Sequence, residues 1–271
     1  MIRGEVATRA RRRARTVPAI VAVLAACTAG CSSTSGEEAA DPGKGSRPTV
    51  LLDFEDVPAG AVTAASDSGS MGGEAEAEGI NGGELRPIAG PDGQALRFPA
   101  FDSSSRPARA VLVLPADDTA LDPGEQDFEL GVDFMLDAVS EGANDDGNNL
   151  VQRGLSADPV QYKLQVDHGA ASCRVVGDQG EVTVTSEVTT EPRTWYRLSC
   201  SRAGDEVRLV LRSEEGEVLD EVTRNVRTGS LTFDPAVPLT MGGKVGADGG
   251  VVEDNSDQLN GALDNVFVHV G

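Results

Sequence analysis

Glu125, Asp127 and Glu129 occupy alternate positions of the segment EQDFELGVDFML, residues 125–136. On an extended strand alternate side chains share a face, so the three carboxylates would line up. Two carboxyl groups about 5–5.5 Å apart are what retaining glycoside hydrolysis uses, one as nucleophile and one as acid/base. The segment also alternates in the other register, where Phe128, Leu130, Val132, Phe134 and Leu136 form an apolar face. Three features favour that second reading. Pro123-Gly124 places Glu125 in a turn. Gln126 stands where a catalytic strand would need an apolar neighbour. The chain has 1 Trp, 2 Tyr and 7 Phe, few platforms for a sugar cleft. The polar face runs on through Glu129, Asp133 and Asp137 as a solvated surface, and the expectation is a buried wall without catalysis.

A second constellation is Tyr162, Lys163 and His168 in QYKLQVDHG, residue types that can abstract and return a proton. Tyr162 falls in the apolar register Val160, Tyr162, Leu164, Val166, which predicts a core tyrosine and a histidine at the strand end. No G-x-S-x-G elbow, P-loop or H-E-x-x-H is present, so the hydrolase, nucleotide and zinc-protease readings lack their motifs. Calcium asks for several hard oxygen ligands. Three places offer them: NDDGNN, with Asn144, Asp145, Asp146 and Asn148; EDNSD, with Asp254 and Asp257; and Asp53 or Glu55 facing Asp264 if the first and last strands pair. Asp, Asn and Gly clusters are also ordinary turn chemistry. The two loops are expected at the rim, as binding loops.

The elements that must carry these groups are strands. TVLLDF, ALRFPA, RAVLVL, VQYKLQVD, ASCRVVG, EVTVTSEV, EVRLVLRS and ALDNVFVHV are β-rich runs punctuated by Gly, Pro, Asp and Asn, and no stretch reads as a long amphipathic helix. Thirteen or so short strands in about 220 residues predict one all-β domain, a two-sheet antiparallel sandwich over residues 49–271. Residues 27–48, small, polar and Pro/Gly-rich, read as a flexible tether.

Residues 1–26 read as an export signal. Arg3, Arg9, Arg11, Arg12, Arg13 and Arg15 precede the apolar VPAIVAVLAA, which is too short to span a membrane. The following LAACTAGCSS has the pattern of lipoprotein processing, with cleavage before Cys27 or before Cys31. The expected address is the extracytoplasmic face of the plasma membrane, held there by lipid, with simple secretion as the alternative. The whole chain carries a net charge of −21. Loss of residues 1–26 brings it to about −26, which excludes nucleic acid as a partner, since that binding neutralises phosphates. It also excludes electrostatic attachment to anionic lipid, so the lipid chains must anchor the protein. With Cys27 and Cys31 assigned to processing, Cys173 and Cys200 are an even pair in an exported chain and are expected to form a disulfide.

Taken in order, LLDFED, GQALRF, DFELGVDFML, NNLVQRG, QYKLQVDHGAASCRVVG, TWYRLSCSRAGDEVRLVL, PLTMGGK and LNGALDNVFVHV resemble a laminin-G-like, concanavalin-A-like jelly roll. The resemblance spans the whole domain, and the cysteines flanking the Trp strand resemble a subset of bacterial members. It implies a twisted antiparallel sandwich used to bind glycans or proteins, often with calcium at the rim. It also implies that Trp195 in RTWYRLSC belongs to the core. It implies no activity, because the same fold hosts glycosidases and polysaccharide lyases. The expected function is recognition of a glycan or an exported protein at the cell surface; the alternative is a polysaccharide-active enzyme.

Overall fold

The computed structural model describes residues 47–116, 119–138 and 147–271. Cys27, Cys31, Asn144, Asp145 and Asp146 lie outside the described residues. Strands are numbered β1 to β16 in chain order. The first sheet runs β14 (Val218–Asn225), β13 (Glu206–Ser213), β12 (Trp195–Ala203), β7 (Phe128–Leu136), β16 (Gly261–Val270), β5 (Gln94–Arg97) and β4 (Arg86–Ala89), with β1 (Val50–Leu52) also paired to β16. The second runs β11 (Gly180–Thr189), β10 (Ala170–Gly177), β9 (Gln161–Asp167), β8 (Asn148–Arg153), β15 (Leu239–Met241), β6 (Arg109–Leu114), β3 (Glu74–Ile80) and β2 (Ala64–Ser66). Every pairing is antiparallel. This is the expected two-sheet jelly-roll sandwich.

Alternation puts the core between the sheets. From the first sheet come Phe128, Leu130, Val132, Phe134 and Leu136 of β7, with Tyr196 and Leu198 of β12. From the second come Tyr162, Leu164 and Val166 of β9 with Ala171 and Val175 of β10, all buried. Ring contacts cross the gap: Phe128 and Tyr162 have centroids 5.6 Å apart. Cys173 on β10 and Cys200 on β12 are disulfide-bonded, with Cα atoms 6.1 Å apart and the two positions 27 apart in sequence. The bond staples one sheet to the other, and the chain-entropy relation assigns a loop of that size about 3.5 kcal/mol.

Two local departures shape the outer surfaces. The outward residues Gln161 and Lys163 of β9 and Gln152 of β8 are buried rather than solvated, because residues 242–260 fold back over that face. Asp257 there accepts from Lys163, and Gln258 donates to the Ala110 carbonyl at 3.1 Å. On β16 the register with β7 shifts between Asp264 and Phe267, with Asn265 in the left-handed region at φ 49°. This bulge re-aims the strand and sets Asp264 and Phe267 on the outer face of the first sheet.

Candidate functional site

The outer face of the first sheet is ordered by strand register. One cross-strand row reads Trp195, Met135, Ala262, Arg97; the next reads Arg212, Arg197, Asp133, Asp264; a third reads Ser199, Gly131, Phe267. Trp195 therefore does not enter the core, contrary to the expectation. Tyr196, Leu198 and Cys200 of β12 point inward, so strand geometry turns Trp195 outward, where it is partly exposed. Phe267 lies flat on the backbone of Gly131: a Cβ at residue 131 would come within 2.3 Å of the ring, so glycine makes this seat possible. Along β7 the Trp195 and Phe267 rows are four residues apart, about 13 Å at the rise of a strand.

Beside Trp195 the end of the sheet opens into a cleft of about 630 Å³ lined by Arg97, Phe101, Met135, Asp137, Arg193 and Asn260. Buried Asn260 assembles it. Its amide N–H donates to Asn148 Oδ1 at 2.9 Å, its Oδ1 accepts from the Phe101 N–H at 3.0 Å, and its Nδ2 donates to the Ala138 carbonyl at 3.1 Å. Three separate segments are thus tied at one residue, two through its side chain and one through its backbone. Arg97 forms an ion pair with Asp137. Arg193 sits at the lip with φ 62°, a left-handed conformation for a residue with a side chain, held by its N–H donating to the Leu136 carbonyl at 2.7 Å. Strain of this kind persists only where the surroundings over-determine it.

The row behind Trp195 is a charge network. Arg197 grips Asp133 with both ends of its fork, Nε to Oδ1 at 2.6 Å and Nη2 to Oδ2 at 2.8 Å, and Asn265 Nδ2 donates to the same Oδ2 at 3.0 Å. Hydrogen bonding to Asp133 raises the Arg197 pKa further. Asp92, on the β4–β5 turn, approaches Arg197 at 3.6 Å. Asp264 lies next to Asp133 but has no cation. It is 1% exposed, its Oδ1 accepts from the Asn265 N–H at 2.7 Å, and its Oδ2 meets no partner among the described residues. Burial first, then the charges of Asp133, Glu55 and Asp92, push its pKa up to about 7.

The residues singled out from sequence are distributed as follows. Glu125 is in the turn before β7 and Asp127 precedes the strand, its Oδ1 accepting from the Gly204 N–H at 2.9 Å; of the three, Glu129 alone is on β7. Tyr162 is fully buried, its pKa raised by burial, and its hydroxyl donates to the Leu121 carbonyl at 3.4 Å. Lys163, on the opposite face, is bound to Asp257, and burial lowers its pKa. His168 is exposed at the hairpin turn beside Asp167, so Tyr162, Lys163 and His168 do not converge. Asn148 and Asp257 point into the structure, the latter also pairing with Lys244 at 3.3 Å, while Asp254 is exposed on the 242–260 segment.

The first and last strands do pair, Leu52 opposite Val266, yet they bring only part of the expected calcium set together. Asp53 Oδ2 accepts from Ser68 Oγ at 3.2 Å, and Glu55 Oε1 accepts from the Gln94 N–H at 2.9 Å. Glu55 reaches Asp264 only through its charge, and Asp53 is engaged at Ser68. Among the described residues no three His, Cys, Asp or Glu side chains converge closely enough to hold a metal ion. Calcium takes six to eight oxygens; beside Asp264 the nearest further carboxylate, Asp133, is committed to Arg197 and Asn265. Asp92 and Asp133, which sequence reasoning did not place here, are the neighbours that matter to Asp264.

No family model matches the chain, and no curated protein matches it by sequence. Solved structures do. Domain 4 of AbnA, an extracellular arabinanase of Geobacillus stearothermophilus crystallised with arabinotriose, is similar with a TM-score of 0.54 at 12% identity, over 83% of this chain and 93% of that one. The binding domain of Paraclostridial Mosquitocidal Protein 1 is similar with a TM-score of 0.53 at 14% identity, and that of botulinum neurotoxin serotype G with 0.51 at 5%. Each is matched over 82% of this chain, which spans about half the length of either, 48% and 47% respectively. Together with the two antiparallel sheets, these likenesses establish the fold: a two-sheet jelly-roll sandwich.

Proposed function

We propose that this is a non-catalytic, lipid-anchored cell-surface module that binds a glycan on the outer face of its first sheet. The observation that carries the reading is Trp195, partly exposed on the outer face of the first sheet and paired across the strands with Met135, which lines the Asn260 cleft. An indole there offers a rigid apolar surface for a sugar ring, and the cleft supplies convergent polar groups, the usual make-up of a small-ligand site. The fold likeness to an arabinanase domain crystallised with arabinotriose supports the same class of ligand. Against an enzyme stand the separation of Glu125, Asp127 and Glu129 and the burial of Tyr162. Asp133 and Asp264 do stand side by side, but both are under 5% exposed, beneath Arg197 and the β4–β5 turn. Export and lipidation rest on the sequence pattern around Cys27 and Cys31.

A glycan array probed with the purified protein and with its Trp195→Ala variant tests the reading. A buried interfacial aromatic typically carries 2 kcal/mol or more, so the variant is expected to bind any sugar that is found about 30-fold more weakly. Equal binding by the two proteins would place the site elsewhere. Silence of both would redirect the search to an exported protein partner.

A further inference from the structure

We propose that the ligand of this face is an acidic polysaccharide whose anionic groups are held by Arg193 and Arg212 on either side of Trp195. The inference rests on the glycan reading above and adds the charge of the ligand. In a chain of net charge −21, arginines are expected to be neutralised by the many carboxylates. On this face two are: Arg97 by Asp137, and Arg197 by Asp133. Arg208, further along β13, is likewise held by Glu221 at 2.9 Å. Arg193 and Arg212 are different. Neither forms an ion pair among the described residues: Arg212 donates to the Gly216 carbonyl at 3.3 Å and helps to lower the pKa of Glu221, whose ion pair is with Arg208, and Arg193 stands exposed at the lip of the cleft.

Their placement is orderly. Arg212 lies directly across from Arg197, and Arg193 precedes Trp195 by two residues. Arg193, in the turn that leads into β12, and Arg212, on the row of Arg197, lie on opposite sides of the Trp195 row. An arginine fork pairs with a planar carboxylate through two parallel hydrogen bonds, so a ring stacked on Trp195 with carboxylates to either side would meet both. Long-range repulsion from the acidic chain opposes approach of a polyanion, but at physiological salt it is screened beyond about 8 Å. Direct contact with the two arginines is not.

The test compares polygalacturonate with its fully methyl-esterified form, the same backbone without charge, and with dextran sulfate, a polyanion of different geometry. Binding is measured at physiological salt for the wild type, Arg193→Gln/Arg212→Gln and Trp195→Ala. Both arginines are on the surface, and the double variant retains the fold, as circular dichroism will check. The proposal expects polygalacturonate to bind at least tenfold more tightly than its ester, and the double variant to lose that preference while keeping whatever affinity it has for the ester. Tighter binding of dextran sulfate than of polygalacturonate would keep the anionic ligand and replace carboxylate by sulfate as its charged group. Equal binding of acid and ester, both abolished by Trp195→Ala, would overturn the proposal and leave the glycan face standing. Indifference of all three polysaccharides to Trp195→Ala would remove both.

Discussion

Replacing Asp122 by alanine will destabilise the folded chain by about 3–5 kcal/mol, the cost of leaving one half of a buried ion pair alone. Arg153 is 0% exposed. Its Nη1 donates to Asp122 Oδ1, its Nε donates to the Val237 carbonyl at 3.1 Å, and its guanidinium carbon lies 4.4 Å from the centre of the Phe233 ring. Phe233 in turn packs edge-on against Tyr162 at 5.3 Å. Asp122 also receives the Phe233 N–H at 3.4 Å, so the carboxylate fastens both the charge and the segment that covers it. A guanidinium cannot shed its proton to escape the core. The double replacement Asp122→Leu/Arg153→Met removes both charges and should cost less than Asp122→Ala alone. Urea unfolding of the three proteins decides; a loss below about 1 kcal/mol for the single variant would show that the pair is not desolvated.

Asp264 gives the second large effect, through pH. Its carboxyl is protonated in the folded chain up to about pH 7, against 3.8 for an ordinary aspartate. Below pH 3.8 both states carry the proton and nothing is lost. As pH rises, the unfolded chain releases the proton first, and folded stability falls until the folded carboxyl also ionises near pH 7. At about 1.4 kcal/mol per pH unit the full loss is roughly 4 kcal/mol. Asp264→Asn, close in shape to the neutral acid, removes this dependence. Its melting temperature should therefore pull ahead of the wild type between pH 5 and pH 8, by on the order of 10 °C for a domain of this size. Millimolar calcium at pH 8 is the control: if it raises the wild-type melting temperature and leaves Asp264→Asn unchanged, a cation rather than a proton answers the orphaned oxygen. Parallel curves for the two proteins without calcium would contradict the buried, unpartnered carboxyl.

The strands and the disulfide were legible because each rests on a local regularity. Alternation in DFELGVDFML and VQYKLQVD names the inward residues without knowledge of the partner strand, and the Cys173–Cys200 pair follows once residues 1–26 are read as an export signal. The side of Trp195 was legible too, though it was misjudged: Trp195 and Cys200 are five apart, an odd offset, so on one strand they must face opposite ways. The resemblance to the jelly-roll family suggested burial, and strand parity overrode it. The network behind Trp195 could not be read in this way. Arg197 and Asp133 are 64 residues apart, and Asn265 and Asp133 are 132 apart; they meet only because β12, β7 and β16 are neighbours in the sheet. Asn148 and Asp257 misled in the opposite sense, since polar residues that look like rim ligands are spent on Asn260 and on Lys163 and Lys244.

Trp195 is the 1 tryptophan of the chain, so its fluorescence reports on the proposed site alone. The most direct measurement is quenching of that emission by acrylamide, in the free protein and again with a saturating glycan found on the array. The outward, partly exposed indole predicts efficient quenching of the native protein and clear protection when the sugar is bound. A native tryptophan that acrylamide cannot reach, or one equally quenched with the glycan in place, would contradict a binding face at Trp195.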